Sequence, residues 1–185
     1  MKKLFLASWF AGAASLLPNF VREDLTGKKV VFIPTASICY GTSGEMREAS
    51  DFINNLDKEA LQNLGLIIEE LEVSSETAEI VKKSISNAAC IFVCGGSTFF
   101  LLQELRRKGA DKLIAQHIEK GKLYMGTSAG SLLVQKDIIA DDGDNPELGP
   151  GLDSDFSALS IIDFYLYVHY GHNYYGNDDE CIRAI

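Results

Sequence analysis

The sequence predicts an α/β fold, a mostly parallel sheet covered by helices on both faces, and two observations carry that prediction. Short runs such as Val30-Val31-Phe32-Ile33 and Ile91-Phe92-Val93-Cys94 are apolar at every position, which is the mark of strands buried on both sides rather than on one. Between such runs lie longer stretches whose apolar residues recur at helical spacing, so strands and helices alternate along the chain.

Taken in order, Leu4-Phe5-Leu6-Ala7 reads as a first strand, and Trp9, Phe10, Ala13, Leu16, Leu17 and Phe20 recur at helical intervals that continue past Pro18. The same stretch, with Lys2-Lys3 ahead of it and an Ala11-Gly12-Ala13 step inside it, imitates a secretory signal peptide; the periodicity favours strand plus helix. Val30 to Ile33, closed by Pro34, gives the second strand, and a loop with Gly41 and Gly44 follows. Residues 46–64 form a helix with Phe52, Ile53, Leu56, Ala60, Leu61 and Leu64 on one face, ended by Gly65. Strands at 66–73, 89–94 and 122–125 then alternate with helices at 76–85, 98–108 and 111–119, and a helical run covers 129–135. The acidic, Gly- and Pro-rich residues 141–155 form a surface loop. Residues 159–168 form another strand, which leads into His169-Tyr170-Gly171-His172, and residues 177–185 read as a helix cut short.

Bulk properties narrow the function. The 185 residues are 46% hydrophobic, enough for one core and a single domain spanning 1–185. Lys and Arg number 17 against 26 Asp and Glu, for a net charge of -9, which leaves no basic face for nucleic acid. No stretch approaches the ~20 apolar residues of a membrane span. Cys39, Cys90, Cys94 and Cys181 show no Cys-x-x-Cys pairing and fit reduced thiols in a cytoplasm, with Cys94 a buried bystander.

The chemistry centres on Gly126-Thr127-Ser128-Ala129-Gly130, a G-x-S-x-G sequence set between a strand and a helix. Small residues must flank a serine held on a tight strand-to-helix turn, so Ser128 is the candidate nucleophile. A serine hydroxyl needs a base, and there are three histidines. His117 sits among Lys and Glu and reads as a solvated helix residue. His169 follows the apolar run 159–168 and so emerges at the sheet's edge; His172 is the reserve candidate. The orienting carboxylate falls among Asp141, Asp142, Asp144 and Glu147, which spacing leaves open. That acidic run lacks the residue order of a calcium loop. The Ala129 N–H, one residue past the nucleophile, and the turn Gly95-Gly96 are the candidate oxyanion donors.

Together, Cys94-Gly95-Gly96-Ser97-Thr98-Phe99-Phe100-Leu101-Leu102, Gly126 to Gly130, and Asp163-Phe164-Tyr165-Leu166-Tyr167-Val168-His169-Tyr170 resemble the dipeptidase E and cyanophycinase family of serine peptidases in order and spacing. The resemblance implies a three-layer α/β/α sandwich of the class I glutamine amidotransferase, flavodoxin-like type. It also implies His169 as base, Asp144 of Asp144-Asn145-Pro146 as orienting acid, and Gly96 as oxyanion donor. The implied reaction is hydrolysis of a short peptide after an N-terminal aspartate, or of a β-aspartyl linkage, with neither metal nor cofactor. The chain departs from the family at Ser97, where Asn is usual, and at Val168, where Pro is usual. The family arginine that pairs with substrate falls near 177–183, where Arg183 is the available residue, and family members usually continue with a further helix and strands. That shortening motivates an alternative, a catalytically silent relative that binds acidic peptides. An α/β-hydrolase esterase shares the Ser, acid, His order but has little room in the 57 residues after Ser128.

Overall fold

The computed structural model describes residues 1–41, 43–139 and 145–170. Among these, five strands form one parallel sheet: β1 (Lys3–Ala7), β2 (Lys29–Ile33), β3 (Ile67–Glu70), β4 (Cys90–Val93) and β5 (Leu123–Thr127), in the spatial order β1-β5-β4-β2-β3. The helices between them are α1 (Phe10–Ala13) and α2 (Leu17–Val21), joined by a 3-10 turn, then α3 (Thr35–Ile38), α4 (Glu45–Asn63), α5 (Ala78–Asn87), α6 (Thr98–Lys108), α7 (Ala110–Glu119) and α8 (Ala129–Leu132).

The period of the strands divides the core into two halves. Val30, Phe32, Cys90, Phe92, Leu123 and Met125 face one side, where Phe10, Leu17, Val21 and Leu61 from α1, α2 and α4 cover them. Val31, Ile33, Ile91, Val93 and Tyr124 face the other, under Val81, Ile85, Leu101, Leu105, Ile114 and Ile118 from α5, α6 and α7. The result is the α/β/α sandwich that the alternation predicts. On the first side the Phe32 and Phe92 rings stack with centroids 5.1 Å apart, and Phe10 meets Phe92 edge-on at 4.9 Å. Each such fully buried side chain contributes about 1.5–3 kcal/mol. Connections that move across the sheet in one direction lie on one face and those that return lie on the other, as right-handed crossovers require.

Four expectations are corrected. Residues 159–168 form no strand. Ser160 adopts φ 51, which interrupts an extended run, and the N–H groups of Leu159, Ser160 and Ile161 donate to the carbonyls of Leu133, Gln135 and Val134 instead. Phe52 and Ile53 are 63% and 38% exposed. Helix α4 turns Asn54, Asp57 and Leu61 inward, so two polar residues occupy positions that an apolar-face reading assigns to hydrophobic ones. His117 is 4% exposed rather than solvated, because it shares an inward stripe with Ala110, Ile114 and Ile118. Its Nε2–H donates to the Leu123 carbonyl at 3.0 Å, and burial lowers its pKa to about 4. The helix expected at 129–135 is shorter than predicted, with α8 ending at Leu132.

Asp57 is fully buried. One carboxylate oxygen accepts from the Ala11 N–H at 2.9 Å, while the other has no partner among the described residues. Burial raises its pKa from 3.8 to about 7. The folded chain therefore holds this proton at pH values where the unfolded chain has released it. Stability contributed by the neutral acid is present below the unfolded pKa and is lost as pH rises towards the folded one. Asp57→Asn should remove this loss. Its unfolding free energy should exceed the parent's above about pH 7, by a margin on the order of 4 kcal/mol, and the margin should close near pH ~4. Parallel stability curves for the two proteins, followed by circular dichroism, would contradict this.

Candidate active site

The C-terminal ends of β1, β5 and β4 lie side by side, and the chemistry-bearing residues leave the sheet there. Ser128 directly follows β5, Gly95-Gly96 follow β4, and Ser8 follows β1. Ser128 sits at φ 49 and ψ -116, a region that costs a non-glycine residue on the order of 1–3 kcal/mol and turns its side chain away from the strand direction.

The glycines around it answer to close contact between backbones. A Cβ on Gly130 would stand 2.2 Å from the Val93 carbonyl oxygen, and one on Gly126 would stand 2.5 Å from the Gly130 oxygen. Gly95 lies directly against Ser128, where an added Cβ would meet Ser128 Cβ at 3.0 Å. Gly96 has φ +134, and a Cβ there would lie 2.3 Å from the Ala36 oxygen. That oxygen accepts the Ser97 N–H at 2.9 Å. The Ala36 turn is in turn braced by Asn54, whose Nδ2 donates to Ser37 Oγ at 3.0 Å while Ser37 Oγ donates to the Pro34 carbonyl at 2.8 Å. Ser97 Oγ caps α6 by accepting from the Phe100 N–H at 3.1 Å.

Hydroxyl groups that sequence reasoning missed hold the Ser128 turn in place. Tyr124 Oη donates to the Gly130 carbonyl at 2.6 Å inside the core, and burial pushes its pKa up. Ser131 Oγ lies 2.9 and 2.8 Å from the Ala7 and Gly126 carbonyls and accepts the Ala7 N–H at 3.1 Å. Thr127 Oγ1 accepts the Phe10 N–H at 3.1 Å and donates to the Ser8 carbonyl at 3.3 Å. The Ser128 N–H donates to the Ala7 carbonyl at 2.9 Å. The available signal was the presence of hydroxyl residues at 124, 127 and 131, on either side of Ser128.

His169 reaches this site from the irregular segment 159–170. Its Nε2 lies 2.9 Å from Ser128 Oγ, and its own backbone has φ 60. The residues before it are fastened to the chain just after α8: the Leu166 N–H donates to Gln135 Oε1, and Tyr165 Oη donates to Asp137 Oδ2 at 2.7 Å. Ala129, the other residue expected to serve the oxyanion, is the first residue of α8 and is buried. Asp141, Asp142, Asp144, His172, Cys181 and Arg183 lie outside the described residues; Glu147, which is described, is exposed in a 3-10 turn after Asn145.

The other nucleophilic groups nearby are quiet. Cys94 is fully buried, and burial raises its pKa well above the usual thiol value, so it carries no thiolate. Among the described residues no group of three or more His, Cys, Asp and Glu side chains is placed to hold a metal ion, and no helix is long and apolar enough to cross a membrane.

Tyr124→Phe should retain the fold and lose about 1–3 kcal/mol, the cost of leaving a buried carbonyl unpaired, as read by urea denaturation. Gly130→Ala should be far worse, because the backbone of β4 cannot retreat from the new methyl group. A Gly130→Ala protein as stable as Tyr124→Phe would refute the close contact at Val93.

Comparison with known proteins agrees with this architecture. The sequence model of Peptidase family S51 matches residues 6–183. The chain is 40% identical over 173 residues to an uncharacterized peptidase of Listeria innocua, covering 93% of this chain and 78% of the relative. It is 34% identical over 149 residues to a peptidase E of Shewanella amazonensis, covering 77% of this chain and 57% of that relative. A Listeria monocytogenes protein whose 1.5 Å crystal structure carries a provisional peptidase E designation superposes with a TM-score of 0.85 at 37% identity, over 99% of this chain and 85% of that one. A peptidase from an acI-B1 Actinobacterium shares the fold, with a TM-score of 0.65 at 18% identity, over 99% of this chain and 75% of that one. With the family model matched over residues 6–183 and the fold shared over 99% of the chain with the Listeria monocytogenes structure, the chain belongs to peptidase family S51.

Proposed function

We propose that this peptidase is of the serine type and hydrolyses short peptides, aspartyl dipeptides in particular, through an acyl-enzyme. The observation that carries the reading is the 2.9 Å separation of Ser128 Oγ and His169 Nε2, with both residues at positive φ. With the imidazole proton on Nδ1, Ser128 Oγ–H donates to Nε2, and the ring accepts that proton as Oγ attacks the substrate carbonyl. The negative charge that develops on the carbonyl oxygen is met by the N–H groups of Gly96 and Ala129. His169 then passes the proton to the leaving amine, and a water deprotonated by the same ring releases the acyl group.

Asp144 is proposed as the acid that orients His169, on the strength of the Asp144-Asn145-Pro146 match alone. The aspartyl preference rests on the resemblance to dipeptidase E and on the peptidase E name of several relatives. A small peptide is the proposed partner, with neither nucleic acid nor membrane. The buried free thiols of Cys90 and Cys94 favour a reducing, cytoplasmic setting.

The test combines a screen of α- and β-aspartyl dipeptides with active-site labelling. A fluorophosphonate should modify Ser128 stoichiometrically, located by mass spectrometry. Ser128→Ala should fold normally while losing turnover by about 10³-fold or more, and Asp144→Asn should lower kcat strongly with little effect on KM. Unchanged dipeptide hydrolysis in Ser128→Ala would overturn the mechanism. An unlabelled but folded wild-type protein would point to a catalytically silent peptide binder.

A further inference from the structure

We infer that Ser8 is a positioning residue for His169, and that the β1–α1 turn is the brace that keeps the imidazole over Ser128. The inference rests on the serine-peptidase reading above and extends it to a residue outside the three segments that carry the family resemblance. Three observations carry it. The His169 N–H donates to Ser8 Oγ at 3.1 Å, so the side chain at the end of β1 grips the base through its backbone. The same turn is tied to the nucleophile's side of the site: the Ser8 carbonyl accepts from Thr127 Oγ1, the Phe10 N–H donates back to that hydroxyl, and the Ala7 carbonyl accepts the Ser128 N–H. The turn is also anchored from beneath by the Ala11 N–H on the buried Asp57.

The need for such a brace follows from where the base sits. Ser128 is held by a strand, a helix and hydroxyl bonds on both sides, whereas His169 lies in a stretch that, among the described residues, forms neither strand nor helix. At φ 60 its backbone is in a conformation that a non-glycine residue adopts at a cost. Ser8 hydrogen-bonds to His169 at the base itself, while its own position is set by the strand that pairs with the nucleophile's strand in register, Ala7 opposite Thr127. One rigid element thus fixes both partners of the proton transfer, and a displacement of about 1 Å at such a site can cost about 10²-fold in rate.

The experiment measures the rate of fluorophosphonate labelling, a reaction in which the Oγ–P bond forms, fluoride leaves and the serine proton passes to His169. It compares the wild-type protein with Ser8→Ala and Ser8→Thr. Dipeptide kcat and KM are measured alongside, and all rates are referred to folded protein by circular dichroism and melting temperature. Ser8→Ala should slow labelling and lower kcat by about 10-fold or more, with KM within about 2-fold and little change in melting temperature, and Ser8→Thr should restore most of the loss because it keeps the acceptor. Equal labelling rates in wild type and Ser8→Ala would overturn the inference while leaving the nucleophile assignment intact. A loss that merely follows the unfolded fraction, or a folded Ser8→Thr as slow as Ser8→Ala, would overturn it too. A wild-type protein that does not label at all would sink the serine-peptidase reading, and this one with it.

Discussion

Three stretches of backbone, the C-terminal ends of β4 and β5 and the start of α8, meet more closely than any side chain would permit, and most of the site follows from that contact. Gly130 rests on the Val93 carbonyl and Gly126 on the Gly130 carbonyl, at distances where a Cβ would overlap both. Strand β5 can therefore end in a turn tight enough to place Ser128 at φ 49, its side chain against Gly95 from the neighbouring strand. The strain is held by surrounding bonds. Tyr124, Thr127 and Ser131 each commit a hydroxyl to the backbone on one side of the turn or the other, so the unfavourable dihedral angles are over-determined by their neighbours.

The same economy appears one strand away. Gly96 is pressed onto Ala36 at φ +134, and the Ala36 turn is supported by the buried pair Asn54 and Ser37. A candidate oxyanion donor is thus placed by Ser37 and Asn54, which lie 17 positions apart in the sequence and well before Ser97, yet are joined to its turn by hydrogen bonds in space. Preorganised N–H groups of this kind act without rearrangement at the moment charge develops, which is why such sites are built on rigid turns.

Against this rigidity stand two buried ionisable groups that do no chemistry. Asp57 and His117 both lie in the interior, each with one polar atom satisfied and another lacking a partner among the described residues, and burial drives both towards their neutral forms. They destabilise the fold from opposite ends of the pH scale: the carboxyl as pH rises towards its folded pKa, the imidazole as pH falls below its ordinary value. Asp57 also holds the first turn of α1, so its carboxylate links the stability of the first layer to the turn that reaches His169.

Composition and periodicity determined the sandwich, because strands buried on both faces must be apolar throughout and helices between them must be amphipathic. The G-x-S-x-G sequence and the paired glycines 95 and 96 were legible for a similar reason: backbone contact leaves glycine as the residue that fits. Tertiary structure decided what local pattern could not. It turned the polar residues Asn54, Asp57 and His117 inward and left Phe52 and Ile53 in solvent, since the orientation of a helix is set by the layer it packs on. It also replaced a strand at 159–168 with an irregular segment laid along residues 133–137. His169 was readable as a candidate base, but its distance from Ser128 depends on a fold that joins positions 41 residues apart, and the part of Ser8 was invisible because hydrogen bonds between distant segments leave no spacing in the sequence.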